Sequence, residues 1–567
     1  MPTVVPPSVL AWLRGGSRQP VAASWVPGAT TDELRTLNAL GAIARELTKS
    51  NGWQPSDPTI KKWFQDAPPV PKAVIEAVED TLLGDRDGAL AALYSEVVRS
   101  DHRRQLGTFF TPSQEAEFMI QRWSETHGTP QTVVDVGAGV GVFTAAAMKA
   151  WPEAQVVAVD VNPVTLGLLG ARLYGSPDAT VMATRSELVL EDFTTWIESD
   201  SFHNSSTPRL VLGNPPYTRA SLMSIDERKR LHEATGGVCG LRASLSTLIT
   251  ALTLQNLSPE DGLCLLLPAQ WLESDYAAGL RALIWGLNRR VELRLVESAL
   301  FDDAQVDAVV LMIGPQEDTA SSPEIVVASW REVAVRTLER TGACPSNWRK
   351  LFNPAIDTAR SKQKTTVTLG DIATVRRGLA TGANSFFVLT DSERSEANLD
   401  TEILLPTVTR IRTLRDKLYK KDWNSATRNA RRWLVTATKQ SRESSASLRA
   451  YLETGESHGV DKGHLCAKRT PWHDLALDLS RPDVIIGSMT RASFRILENR
   501  MKAVITNNLY GWTWNADVGA DERARVLIWL RSSDGQAALR HAARNQGDGL
   551  LKLEPRALRE IAIPTAS

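Results

Sequence analysis

The residues best suited to do chemistry are Asn214, Pro215, Pro216 and Tyr217, in the segment RLVLGNPPYTRA. An apolar run, Leu210 to Leu212, ends in Gly213 and then meets two prolines, which cannot continue a sheet. The pattern predicts a buried strand that stops abruptly. It presents an amide side chain, a carbonyl and a phenol ring in a stiff arrangement at the strand's carboxyl end, where open α/β sheets bind ligands. A bare tetrapeptide of this kind is equally an ordinary strand-ending turn. Its meaning depends on the elements that position it.

Those elements begin upstream. Thr111 and Pro112 stand where a helix should start, before the run Gln114 to Trp123, and the free N–H groups there can receive a polar ligand. The segment TVVDVGAGVGVFTAAAMKA, 132–150, predicts a buried strand through Asp135 and Val136, a tight turn at Gly137, Gly139 and Gly141, and a helix from Phe143. Glycines admit positive φ and close approach of a ligand to backbone, and the following helix start is electropositive. A second strand, Gln155 to Val159, ends in Asp160, an acid suited to ribose hydroxyls. A third, around Leu188 to Leu190, leads to Asp192 and Phe193, suited to an amino group and a ring face. A glycine-rich loop alone is weak evidence. With the two later acids, in this order, it points to an adenosine-containing ligand.

Downstream, 241–257 predicts a long helix, Leu263 to Leu267 a strand with a proline stop and then a helix to about Trp285, and Val291 to Leu295 with Ala308 to Ile313 two further strands. Alternating strands and helices predict a mostly parallel sheet covered on both faces, with an antiparallel member near its end. Before this core, 1–100 has helical spacing at Leu34, Leu37, Leu40, Ile43 and Leu47, again at Ile60, Trp63 and Phe64, and from Pro71 to Val98. No acidic-plus-lysine nuclease pattern occurs there, and the segment is expected to be structural or DNA-wrapping.

The 567-residue chain is 43% hydrophobic with 65 basic and 65 acidic residues, so overall charge implies no partner. Its distribution does: 361–500 holds 24 basic and 16 acidic residues. Arg376 and Arg377 precede a glycine turn punctuated by Asn384, and RIRTLRDKLYKK at 410–421 and RNARR at 428–432 follow. The four cysteines are far apart and form no CxxC pair, which argues against a zinc or disulfide framework and predicts reduced, mostly buried thiols with no metal site. No apolar run approaches membrane length and no signal-peptide pattern opens the chain, so the expected location is cytoplasmic.

Taken together the motifs resemble those of gamma-type adenine-N6 DNA methyltransferases, in which cofactor motifs precede the catalytic motif and a target-recognition domain follows. The resemblance covers roughly 100–315 and resumes after 365. It implies an α/β fold with a Rossmann-like class I methyltransferase sheet at 101–340, an N-terminal helical segment at 1–100, and an α+β target-recognition domain with a closing helical segment at 365–567. S-adenosyl-L-methionine is the implied cofactor. Thr111 and Pro112 would hold its methionine end, Asp135 through Phe143 with Gly137, Gly139 and Gly141 would form the main loop, Asp160 would take the ribose, and Asp192 with Phe193 the adenine. Asn214 to Tyr217 would be catalytic, the Asn214 side-chain oxygen and Pro215 carbonyl accepting the two N6 hydrogens of a flipped adenine and Tyr217 stacking on it. For double-stranded DNA the expected contacts are Arg376, Arg377, Asn384, Arg410, Arg412, Arg415, Arg431, Arg432, Asn508 and Tyr510.

The family's frequent Pro-Ala-Cys-Gly after the loop's acid is replaced here by Val136, Gly137, Ala138 and Gly139, nearer to the general methyltransferase pattern. A monomer is expected, with a separately encoded cognate restriction endonuclease as the implied partner. An RNA adenine methyltransferase, a protein glutamine methyltransferase and a non-catalytic DNA-binding defence subunit remain as alternatives. The long basic region tells against the second and the intact NPPY against the third.

Overall fold

The computed structural model describes residues 5–15, 30–49, 51–84, 86–99, 110–175, 179–296, 307–317, 324–332, 335–352, 367–421, 423, 432–475, 479, 481–545 and 550–564. The chain divides into two compact units, Met1–Pro354 and Ala355–Ser567.

The first unit opens with helices α1 (Pro7–Arg14), α2 (Thr31–Lys49), α3 (Pro58–Gln65), α4 (Lys72–Gly84) and α5 (Arg86–Val97). Local chemistry starts α3: Asp57 accepts from the Thr59 and Ile60 N–H groups at 2.8 and 3.1 Å, and Pro58 supplies a preset first turn. The periodic face Leu34, Leu37, Leu40, Ile43 and Leu47 of α2 is buried as expected. Helices α6 (Ser113–His127), α7 (Val142–Ala150) and α8 (Pro163–Tyr174) belong to the sheet.

Nine strands form that sheet: β1 (Thr132–Val136), β2 (Gln155–Asp160), β3 (Ser186–Leu190), β4 (Arg209–Gly213), β5 (Gly262–Pro268), β6 (Arg289–Val296), β7 (Ala308–Gln316), β8 (Glu324–Ser329) and β9 (Arg336–Glu339), in spatial order β3-β2-β1-β4-β5-β7-β6-β8-β9. Strands β3 through β5 are parallel and β7 runs antiparallel to both β5 and β6, as the sequence predicts. Strands β8 and β9, which carry the sheet outward past β6, lie outside the expected elements.

Strand alternation divides the sheet's side chains between two cores. One face, with Val133, Ala158, Leu210, Leu212 and Leu266, shares its core with the N-terminal helices. The other, with Val134, Val159, Val211 and Leu265, packs against Leu248, Leu252 and Leu280 of the helices Leu245–Asn256 and Ala278–Gly286. On the first face, α8 is the point of attachment. Gly167 leaves room for Trp63, whose ring lies 2.5 Å from where a Cβ would stand, and Gly170 leaves room for Trp53 at 2.4 Å. Trp53 also stacks on Tyr174, with centroids 4.5 Å apart.

The second unit is built on a five-stranded sheet in the order Ala373–Arg377, Leu509–Trp514, Val484–Gly487, Ile496–Asn499, Lys417–Leu418. The region 523–543, helical by sequence, is two helices, Ala520–Arg531 and Ser533–Ala542. The break comes at Ser532, in extended backbone, whose hydroxyl caps the second helix through the Gly535 N–H at 3.3 Å. The closing segment returns to the unit's start: Leu369 N–H donates to the Ile561 carbonyl at 2.9 Å and Ile563 N–H to that of Val367 at 2.8 Å. Among the described residues no helix is long and apolar enough to cross a membrane, and no cluster of three potential metal ligands occurs.

At the base of β4, opposite the NPPY end, Arg209 and Asp261 form a buried ion pair, with side chains 1% and 0% exposed. Asp261 accepts from Arg209 N, Nε and Nη2 at 2.9, 3.0 and 2.7 Å and from the Ser258 N–H at 2.7 Å. Removing one partner strands the other charge in a dry environment. Asp261→Ala is therefore expected to destabilise the protein by about 3–5 kcal/mol, read as a lowered urea midpoint by tryptophan fluorescence. A loss under about 1 kcal/mol would mean that Arg209 finds solvent.

Candidate active site

Strand β1 pairs in parallel with β2 on one side and β4 on the other, Val136 lying opposite both Val159 and Gly213. The loop after β1 and the turn after β4 therefore leave the sheet side by side, at the point where strand order reverses. They come close. Gly137, at φ +67°, stands where a Cβ would lie 3.5 Å from Pro216 Cδ and 3.7 Å from the Asn214 carbonyl oxygen. Gly213, at φ +146°, lets β4 run so close to β1 that a Cβ would sit 2.8 Å from the Val136 carbonyl oxygen.

The loop is held from below by two buried carboxylates. Asp135 Oδ2 accepts from the Thr144 N–H at 2.8 Å and its hydroxyl at 2.6 Å, tying strand end to helix start. Its other oxygen is buried with no hydrogen-bond partner among the described residues. Burial pushes the Asp135 carboxyl up to about 7 against the pull of those Thr144 bonds. Asp160 accepts from the Gly139 N–H on Oδ2 and the Asn162 N–H on Oδ1, each at 2.7 Å. Burial raises its pKa too, opposed by these backbone donors. The Thr165 hydroxyl and the Val161 N–H act on it in the same direction as those donors.

Thr111 and Pro112 precede α6 as expected, Thr111 buried and Pro112 at the helix cap. Thr111 also reaches the tetrapeptide: Asn214 Nδ2 donates to Thr111 Oγ1 at 3.2 Å, which turns the amide so that Oδ1 faces away from Thr111. Pro215 is buried and Tyr217 half-buried, its hydroxyl donating to the Leu266 carbonyl at 3.4 Å. Burial raises the Tyr217 pKa, so the ring stays a neutral phenol. Asp192 caps the short helix Phe193–Trp196, one oxygen accepting from Thr194 N and Oγ1 at 2.8 Å. Phe193 is nearly buried beside Trp196, and Phe143 lies in the core below the loop.

Several residues of this constellation have no place in the sequence reading. Thr144 fixes Asp135, and Phe110 lies over Gly139, its ring 3.6 Å from where a Cβ would be. Asn162 braces Asp160 while capping α8 through the Val164 N–H at 2.9 Å. Asn before Pro163 at a helix start is a readable cap signal. Thr144 and Phe110 carry no such local signal.

Cys344 is half-buried. Cys239, Cys264 and Cys466 are buried, and the Cys239 thiol is pushed up to about 12.

In the second unit, Arg376 and Arg377 are exposed on the edge strand Ala373–Arg377 opposite Gly511 and Tyr510. Arg377 Nε donates to the Asn507 carbonyl at 2.8 Å, and Asn508 Nδ2 donates to that of Thr409 at 2.7 Å, joining this strand's end to the exposed turn of Arg410, Arg412 and Arg415. Asn384 is exposed and accepts from the Thr381 hydroxyl at 2.7 Å, bracing its own turn. Two expected surface positions lie inward instead. Arg432 is buried and pairs with Asp391 at 2.5 Å, because its chain neighbours Leu434 and Val435 enter the core. Tyr510 is 1% exposed, since period-two alternation along Leu509–Trp514 turns it and Trp512 to the core of this unit. Arg431 lies outside the described residues.

Residues 351–567 match the family described as Type II methyltransferase M.Eco57I, C-terminal domain. Over 486 residues the chain is 23% identical to the Type II methyltransferase M.AccI of Acinetobacter calcoaceticus, covering 82% of this chain and 86% of that one. It is 22% identical over 479 residues to the Type II methyltransferase M.XamI of Xanthomonas campestris pv. amaranthicola, covering 81% and 85%. Among solved structures, the Type IIL restriction-modification enzyme MmeI in complex with DNA aligns with a TM-score of 0.53 at 12% identity, over 94% of this chain and 78% of that one, which shows a shared fold. The C-terminal domain matches that family, and along four-fifths of its length the chain is similar to two Type II methyltransferases.

Proposed function

We propose that the protein transfers a methyl group from S-adenosyl-L-methionine to N6 of an adenine flipped out of double-stranded DNA, as the modification enzyme of a restriction-modification system. The observation that carries this reading is the close approach of the glycine loop to the NPPY turn, which would set a nucleoside-type pocket beside paired acceptors. The residues fit the cofactor. Gly137 and Gly139 form a cradle with positive φ (+67° and +56°), Asp160 stands beside it at the end of β2, and Asp135 keeps a buried oxygen in need of a donor. When bound, S-adenosyl-L-methionine supplies a methyl group on an electron-poor sulfonium.

The remaining work falls to the chain. Adenine N6 is a poor nucleophile because its lone pair is delocalised into the ring. Asn214 Oδ1 and the Pro215 carbonyl would accept its two hydrogens and draw the nitrogen toward tetrahedral geometry, with the lone pair aimed at the methyl. The bond from Thr111 to Asn214 Nδ2 favours that orientation of the amide. Pro216 braces the turn against Gly137, and Tyr217, neutral and half-buried, offers its ring face to the flipped base. Flipping costs a few kcal/mol, recovered in stacking and in hydrogen bonds to the base edge. Sites on the second unit for the DNA backbone would be Arg376, Arg377, Arg410, Arg412 and Arg415, which are exposed and lie in one region of that unit.

Asn214→Ala is expected to abolish methylation of DNA by labelled S-adenosyl-L-methionine while calorimetric binding of S-adenosylhomocysteine persists; robust transfer by this variant would sink the assignment. Sequencing the modified bases checks N6-adenine against other acceptors, and labelled RNA offered in parallel separates the RNA reading. The double variant Arg376→Ala/Arg377→Ala should weaken DNA binding across sequences and lower the slope of log K against log salt by about 1–2; an unchanged slope would place the phosphate contacts elsewhere.

A third expectation concerns pH. With its folded pKa raised to about 7 from the usual carboxylate value, Asp135 makes the folded protein bind a proton more tightly than the unfolded chain. Its contribution to stability is present at low pH and is lost as pH rises from about 4 to about 7. Asp135→Asn removes this slope. The variant, measured without cofactor, should gain stability relative to wild type progressively across that window, and a difference independent of pH would contradict the cause given.

A further inference from the structure

Tyr94 stands outside every motif of the sequence, in a helical segment with no assigned chemistry, and is fully buried. Its hydroxyl accepts a hydrogen bond from Asn162 Nδ2 at 2.9 Å, and its ring meets the Phe110 ring edge to face with centroids 5.7 Å apart. Both partners converge on one carboxylate. Asn162 donates its backbone N–H to Asp160 Oδ1 at 2.7 Å. Phe110 covers Gly139, whose N–H holds Asp160 Oδ2 at the same distance of 2.7 Å. One side chain of α5 thus bears on two of the supports of the residue that the proposed function gives to the ribose.

The physics of burial makes this arrangement consequential. The Asn162 side chain is held at both ends, its oxygen on the α8 N–H of Val164 at 2.9 Å and its NH2 group on Tyr94. Without the Tyr94 hydroxyl that buried NH2 loses its acceptor, and the residue can regain one only by rotating or shifting. Its backbone N–H moves with it, and that N–H is one of the backbone donors that hold Asp160. The Tyr94 ring likewise limits where Phe110 can lie over the glycine loop.

We infer that Tyr94 is a positioning residue for the cofactor pocket, through which the N-terminal helical segment forms a wall of that pocket. The inference rests on the cofactor assignment proposed above, and its test separates the two. S-adenosylhomocysteine is titrated calorimetrically into the full chain as wild type, Tyr94→Phe, Asn162→Ser, the double variant and Trp53→Phe. Serine at 162 keeps a capping oxygen but has no amide to offer Tyr94.

Tyr94→Phe and Asn162→Ser should each weaken binding about threefold to tenfold, and the double variant no more than the weaker-binding single, since both remove one contact. In turnover, KM for S-adenosyl-L-methionine should rise by the same factor while kcat at saturation changes by less than about twofold. Trp53→Phe, which disturbs the segment away from Asp160, should lower the thermal midpoint and leave affinity at the wild-type value. Wild-type affinity in Tyr94→Phe, or an equal loss in Trp53→Phe, overturns the positioning role. Should Tyr94→Phe fail to fold, Asn162→Ser decides by the same criterion. No binding by wild type itself would overturn the cofactor assignment, and this inference with it.

Discussion

Parallel pairing of β1 with β4, Val136 opposite Gly213, is the constraint on which the rest of the site depends. It sets two strand ends within a backbone's width of each other, and the chain leaves each in a turn that only glycine permits at the point of contact. A side chain at Gly213 would collide with the Val136 carbonyl, and Gly137 stands beside Pro216 at a positive φ that favours glycine. At the other end of β4 the buried Arg209–Asp261 pair anchors the strand to the start of β5. The strand is thus pinned at its base, so its top can carry a stiff, partly strained turn.

Two buried carboxylates organise the space above the strands differently. Asp135 spends one oxygen on Thr144 and keeps the other buried without a partner, at a cost that burial makes large. Asp160 is surrounded by backbone N–H groups, one from the glycine loop and one from the start of α8. Both acids come from strand ends, yet their surroundings come from elsewhere in the unit: a helix start, an aromatic cover and the N-terminal helices. Those helices share the hydrophobic core of one sheet face and fit against α8 through Gly167 and Gly170.

Much of this was legible locally. Glycines at 137, 139 and 141, the acids ending β1 and β2, and two prolines after an apolar run each have a conformational meaning that neighbours alone impose. Ala308 to Ile313 likewise reads as a strand from its apolar run alone, while its place between β5 and β6 is not legible there. Basic residues in turns, such as Arg410, Arg412 and Arg415, are exposed as charge alone dictates. Arg432 and Tyr510 show where that reasoning stops, for their strands' alternation and an available Asp391 outweighed the polarity of the side chain.

The sequence by itself determined the strand ends, the glycine turns, the rigid tetrapeptide and the order in which they occur, because each follows from backbone sterics within a few residues. Tertiary structure alone decided which of them meet. That Gly137 lies beside Pro216, that Thr111 turns the Asn214 amide, and that Tyr94 reaches Asn162 across 68 residues of sequence are consequences of sheet order and helix docking. Pairings over such separations depend on how whole elements bury their apolar faces, and no local pattern encodes them.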